Sequence, residues 1–198
     1  MRLLALAASF FLLAGAAGAQ SQQLGPEELV RSVTQDVLDA IHSDKKLQEG
    51  DRKKALALAE EKILPHVDFR RATQLAVGRS WKQATPEQQE QLVNSFRSLL
   101  VRIYSNAIGV YNGQTMKVLP TRTPKDAIET TVRNQYLSPG RPPVNVEYAM
   151  EKTPEGWKIY DITVGGVSLV LTYRAEFDNI TRTSGIDGLI KIMQEKNA

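Results

Sequence analysis

The spacing of apolar residues changes period twice along this 198-residue chain, and those changes constrain its fold more than any single motif. From Pro26 to about residue 113 the apolar positions recur at helical spacing. Pro26 stands where a first helical residue would, with Glu27 and Glu28 opposing the positive end of the helix. Leu29, Val30, Val33, Val37, Leu38 and Ile41 then share a stripe. A second helix is expected from about Asp51 to Leu64, stopped by Pro65, and a third from the cap Asp68 to Val77, stopped by Gly78. Thr85-Pro86-Glu87-Gln88 is a capping box with proline in the first turn. It opens a long helix ending near Gly113. Its stripe of Leu92, Val93, Phe96, Leu99, Leu100, Ile103, Tyr104, Ala107, Ile108 and Tyr111 is wide enough for a central helix facing something bulky.

The period then becomes two. Met116 and Val118 mark a short strand; Ile128, Thr130, Val132, Asn134 and Tyr136 share one face of the next. Val144, Val146, Tyr148 and Met150 form the apolar face of a third, and a fourth from about Trp157 to Val164 is apolar on both faces. Pro139-Gly140 and Pro154-Glu155-Gly156 supply tight turns, so the strands form an antiparallel meander. After Gly165-Gly166 the helical period returns. Ser168 can cap a helix carrying Leu169, Val170, Tyr173, Phe177 and Ile180; Gly185 breaks it, and Ile186, Leu189, Ile190 and Met193 mark a last amphipathic helix. Helices, four consecutive strands, then helices predict an α+β fold: a four-stranded antiparallel sheet with helices on one face.

The first nineteen residues are expected to be removed. Arg2 and the amino terminus form a positive n-region, Leu3 to Ala14 is almost wholly apolar, and Ala17-Gly18-Ala19 is a small-x-small cleavage site. The apolar run is too short to span a bilayer, and no cysteine follows it for lipid anchoring. A signal peptide over 1–19 leaves 20–198 as one domain, exported to the periplasm. The 25 Lys and Arg against 22 Asp and Glu give a net charge of +3; without Arg2 it is +2, with the basic residues scattered, which does not recommend nucleic acid as a partner. With zero cysteines, thiol catalysis and cysteine-ligated metal sites are excluded and stability must come from packing.

Catalytic patterns are sparse. The only imidazoles are His42 and His66, on different expected elements and outside any metal-ligand spacing. There is no nucleophile elbow, Walker A loop or dinucleotide fingerprint, and no metal or cofactor is implied. Asp161, in a strand between Tyr160 and Ile162, is out of place. It reads as a structural acid bonded to a backbone amide or an arginine, because no second acid–base group accompanies it. The alternative is a small pocket enzyme pairing Asp161 with Tyr148 or Tyr160.

Several segments, in order, resemble one family, the periplasmic MlaC (toluene-tolerance auxiliary) phospholipid-binding proteins. They are Pro65-His66-Val67-Asp68-Phe69, Ala76-Val77-Gly78-Arg79-Ser80-Trp81, Ala84-Thr85-Pro86-Glu87-Gln88 and Phe96-Arg97-Ser98-Leu99-Leu100 with Tyr104 and Tyr111. Trp157-Lys158-Ile159-Tyr160-Asp161-Ile162, running on to Gly166-Val167-Ser168-Leu169, and Gly185-Ile186-Asp187-Gly188-Leu189-Ile190 complete the match. The resemblance implies a monomeric, non-enzymatic shuttle between the two membranes of a diderm envelope, maintaining outer-membrane lipid asymmetry. It implies an outer-membrane lipoprotein–porin complex as partner at one end and the MCE-domain protein of an inner-membrane ABC transporter at the other. Acyl tails would fill an apolar cavity between sheet and helices. Gly165-Gly166 departs from members that carry an acidic residue before the glycine, and a sister branch associated with hopanoid synthesis leaves a hopanoid-type ligand as an alternative.

The expected pocket wall combines three sources. The long helix and the segment before it offer Trp81, Phe96, Leu100, Tyr104 and Ile108; the strands offer Val132, Val146, Tyr148, Met150, Ile162 and Val164; the segment after Gly166 offers Val167, Leu169 and Tyr173.

Overall fold

The computed structural model describes residues 23–108 and 115–197, and for 105–108 the backbone only. The leader over 1–19, Gln20 and Tyr111 lie outside the described residues.

Helix α1 spans Pro26–Ser43 with Pro26 in its first turn, as the sequence predicts. A single turn, α2 (Lys45–Gln48), was not anticipated; Asp44 caps it by accepting from the Lys46 amide. Helix α3 (Arg52–Lys62) is capped by Asp51 and gives way to a 3₁₀ turn at Leu64–His66, where Pro65 cannot continue an α-helix. Asp68 caps α4 (Phe69–Val77) by accepting from the Arg71 amide at 2.7 Å. The capping box forms in full: the Thr85 amide donates to the Gln88 side chain at 3.0 Å and the Gln88 amide to the Thr85 hydroxyl at 3.2 Å. The helix it opens, α5, runs over Pro86–Ile108.

The sheet has five strands in sequential order, all pairs antiparallel: β1 (Thr115–Val118), β2 (Glu129–Leu137), β3 (Val144–Thr153), β4 (Gly156–Val164) and β5 (Val167–Ser168). The expected four strands are present, and the two-residue β5 adds a fifth, folding back on β4 through Gly165 and Gly166 at φ 57° and 86°. Backbone at these angles is strained for any residue with a Cβ, which accounts for the glycine pair. Helix α6 covers Leu169–Asn197 and is interrupted at Gly185 (φ 69°, ψ −176°), where the sequence predicts a break.

A β-bulge explains why β4 reads as apolar on both faces. Met150 pairs with Ile159 and Ala149 with Asp161, so Tyr160 is skipped. The skip brings Ile159, Ile162 and Val164 onto one face, with Val146, Tyr148 and Met150 of β3. Tyr160 turns the other way, beneath the Arg71 guanidinium, whose carbon stands 3.9 Å from the ring centroid. Arg71 also pairs with Glu129 and Glu151, which face each other across β2 and β3 and would repel without it.

Besides a small cluster of Ile41, Leu47, Ala55 and Leu58 that joins α1 to α2 and α3, two larger apolar regions result. One is helical: α4, α5 and α6 bury Ala72, Ala76, Val77, Leu92, Phe96, Leu99, Phe177, Leu189 and Met193. The other lies beneath α1 on the sheet, where Leu29 and Val30 pack on Val132, Met150 and Trp157. A main-chain bridge from Val67 to Ile159, with the Asp68 amide donating to the Ile159 carbonyl at 2.8 Å, ties the 3₁₀ turn to the edge of β4.

Candidate functional site

Between α1 and the sheet lies a cavity of ≈ 640 Å³, within the range of about 300–1,000 Å³ typical of ligand pockets. Its roof is the apolar stripe of α1, from Leu29 through Val33 and Val37 to Ile41. Its floor is Met116 and Tyr136 of β1 and β2, Val146 and Tyr148 of β3, and Ile159, Ile162 and Val164 of β4. Ile63, His66 and Val67 close one side. The period-two pattern, with the skip at Tyr160, puts these floor residues on one sheet face. α1 packs on that face at its start, through Leu29 and Val30; Val33 and Val37 farther along border the cavity, and Ile41 near the end is buried against α2 and α3.

The two ends of the cavity differ. At one, Met150, Trp157 and Val132 are buried under Leu29 and Val30. At the other, Val144 and Val164 are exposed beside the Gly165-Gly166 turn, with Val167 at 63 % exposure. Val164 both lines the cavity and is 49 % exposed, so we take that end as the mouth.

Few charges enter. Burial, with the Lys158 charge second, pushes the His66 imidazole below its ordinary value, so it is neutral at pH 7. Burial, and then the neighbouring Tyr136, pushes the Tyr148 hydroxyl well above its ordinary value, so it stays protonated. The two hydroxyls are hydrogen-bonded at 2.9 Å. A second cavity of ≈ 490 Å³ is bordered by Glu60, Asp68, Arg97, Glu155 and Lys158, charges that suit no hydrocarbon.

The structure places the expected wall residues in several environments. Val146, Tyr148, Ile162 and Val164 line the cavity. Val132 and Met150 are fully buried at its closed end, and Val167 stands at the mouth, paired with Val164. Trp81, Phe96, Leu100, Leu169 and Tyr173 belong instead to the helical core and do not line this cavity. The α5 stripe meets α4 and α6 rather than the sheet, and edge-to-face rings fill that space: Phe96 lies 5.2 Å from Tyr173 and 5.4 Å from Phe177 between centroids. Tyr104 is half-exposed on α5, and the side chain of Ile108 lies outside the described residues. The α1 stripe, His66 and Tyr136 were not expected in the wall.

Asp161 is bonded as a structural acid. Its carboxylate accepts from the Ile162 amide at 2.8 Å, the Val170 amide at 3.1 Å and the Ser168 hydroxyl at 2.5 Å, so it fastens the start of α6 to β4. It is not part of the cavity wall. Among the described residues no cluster of His, Asp and Glu is arranged to hold a metal, and no helix is long and apolar enough to cross a membrane.

Residues 31–195 match the family model described as MlaC protein. The chain belongs to the MlaC family. A solved structure of a phospholipid-binding protein from Ralstonia solanacearum, in complex with a phospholipid, superposes with a TM-score of 0.81 at 38 % identity, covering 88 % of this chain and 97 % of that one. The toluene tolerance protein ttg2D of Pseudomonas putida is 27 % identical over 93 % of this chain and 83 % of its own. The intermembrane phospholipid transport system binding protein MlaC of Haemophilus influenzae is 23 % identical over 87 % of this chain and 82 % of its own. The family match takes in most of α1, the sheet and nearly all of α6, and so both sides of the cavity.

Proposed function

We propose that this MlaC-family chain is a phospholipid carrier that holds acyl tails between α1 and the sheet and leaves the head group in water at the Val144–Val164 mouth. The observation that carries this reading is the apolar ≈ 640 Å³ cavity between α1 and the sheet. The phospholipid-bound state of the Ralstonia solanacearum relative and the transport role named for the Haemophilus influenzae relative support it.

The physics suits a carrier. A diacyl lipid exposes roughly thirty methylenes on leaving a bilayer, each worth about 0.8 kcal/mol, so unaided desorption costs on the order of 20 kcal/mol. Replacing bilayer with a protein wall lowers that cost without a reacting group. The three bonds that hold Asp161 in the scaffold, away from the cavity, argue against the pocket-enzyme alternative. We read the protein as a non-enzymatic periplasmic shuttle, released from a signal peptide over 1–19. Its proposed partners are an outer-membrane lipoprotein–porin complex and the MCE-domain protein of an inner-membrane ABC transporter.

The test is solvent extraction of protein purified without added lipid, with native mass spectrometry of the intact complex. Diacyl phospholipid bound near one per chain is expected, with varied acyl lengths because tail burial is non-directional. Empty protein would contradict the reading, and a bound polycyclic triterpenoid would favour the hopanoid branch.

A further inference from the structure

The cavity floor carries a polar step within an apolar surface. Paired residues across β2, β3 and β4 form rungs: Tyr136 with Val144 at the mouth, then Asn134 with Val146 and Val164, then Val132 with Tyr148 and Ile162. Tyr136 and Tyr148 belong to the first and third rungs, and their hydroxyls meet at 2.9 Å across the second. On that second rung the Asn134 carboxamide is buried, 1 % exposed, and neither its oxygen nor its nitrogen has a hydrogen-bond partner among the described residues.

Counting protons shows what the pair can do. Two phenol hydroxyls hold two protons and their mutual bond uses one. Among the described residues no acceptor takes the second. A donor left unsatisfied in an apolar cavity is costly, so a ligand acceptor arriving beside it is favoured.

Position selects which acceptor. Alternate residues of a strand are about 7 Å apart, so the hydroxyls sit roughly one such step below the exposed Val144. With a head group in water at the mouth, the first lipid atoms at that depth are the glycerol ester linkages. Beyond them Ile159 and Ile162 offer no side-chain donor.

Resting on the carrier reading above, we propose that the Tyr136–Tyr148 hydroxyl pair donates a hydrogen bond to an ester carbonyl of the bound lipid, setting its depth and favouring ester-linked over ether-linked chains. The test offers the full mature protein vesicles holding equal amounts of diester and diether phosphatidylcholine with matched chains, and reads the bound ratio by native mass spectrometry. Wild type should take the diester in about three- to tenfold excess, the worth of one hydrogen bond. Tyr136→Phe and Tyr148→Phe singly should keep an excess, because each leaves one hydroxyl with no partner but the lipid. The double substitution should take both lipids equally, and a far-ultraviolet circular dichroism spectrum and urea midpoint measured alongside report that it is folded. Equal uptake by wild type, or an excess that survives in the double variant, would overturn the ester contact. Wild type that takes up neither lipid would overturn the carrier reading instead.

Discussion

The helical region and the sheet region of this protein use similar apolar sequence to opposite ends. In the helical region, α5 and α6 bring Phe96, Tyr173 and Phe177 within 5.2 to 5.5 Å of one another between centroids, and Leu92, Leu189 and Met193 complete a solid core. In the sheet region, α1 offers valines and leucines to a floor of valines and isoleucines and leaves ≈ 640 Å³ unfilled. Helix α1 meets the sheet only at its start, where Leu29 and Val30 pack on Val132 and Met150, and its other end is held by Ile41 against Leu47, Ala55 and Leu58 of α2 and α3, so it bridges the space between. An apolar stripe therefore marks burial in both regions, while the bulk and seating of the facing elements decide whether the space between them is solid or hollow.

The largest expected contrast comes from removing side chains. Phe96→Ala should cost about 3–5 kcal/mol, because it opens a void in a filled core. Ile162→Ala, at the edge of an existing void, should cost less than about 2 kcal/mol. Urea denaturation of both variants measures the difference, and equal losses would break the comparison. Adding volume should reverse the pattern. Ala76→Leu, in the helical core, should cost about 1–3 kcal/mol by overpacking. Val33→Phe, over the cavity, should leave stability near wild type and reduce the lipid extracted with the protein.

Asn134→Leu sharpens the view of the hollow region. The buried carboxamide has no partner among the described residues, so an apolar replacement should raise stability by about 1 kcal/mol. An unchanged or lower urea midpoint would show that the amide is satisfied within the fold. The smallest expected effect is that of pH at His66. Its imidazole titrates below its ordinary value in the folded protein, so the unfolded chain binds the proton first. Stability is then full above the ordinary histidine range, near pH 6.5, and declines as pH falls toward the lower folded value. His66→Gln should remove that part of the pH dependence, visible as a flatter urea midpoint between about pH 7 and 5.

Much of the fold was legible in the sequence because its signals are local. The Thr85–Gln88 box, the Asp68 cap, the Gly185 break and the alternation in β2 and β3 each depend on residues within a few positions of one another. The cavity depends on which helix covers which face, and that is not local. The α5 stripe is the widest in the chain and was expected over the sheet, yet it faces α4 and α6. The α1 stripe was equally plain, but nothing near it says that it lies on β1 to β4. The bulge at Tyr160 hid the one-sidedness of β4, since Ile159 and Ile162 differ in parity and share a face only because a residue is skipped. Alternation in β3 alone puts Val146 and Tyr148 on the cavity face, whereas Ile162 and Val164 come from a strand that reads as apolar on both faces.

The central claim, that tails lie between α1 and the sheet, is tested most directly by a lipid that marks its own position. A phosphatidylcholine with a photoreactive diazirine midway along one acyl chain would be loaded into the mature protein, irradiated, and its adducts mapped by peptide mass spectrometry. Adducts on α1 around Val33 to Ile41 and on β3 and β4 around Val146 and Ile162 are predicted. Adducts concentrated on α5 and α6, around Phe96, Tyr173 and Phe177, would contradict the account and place the tails in the helical region.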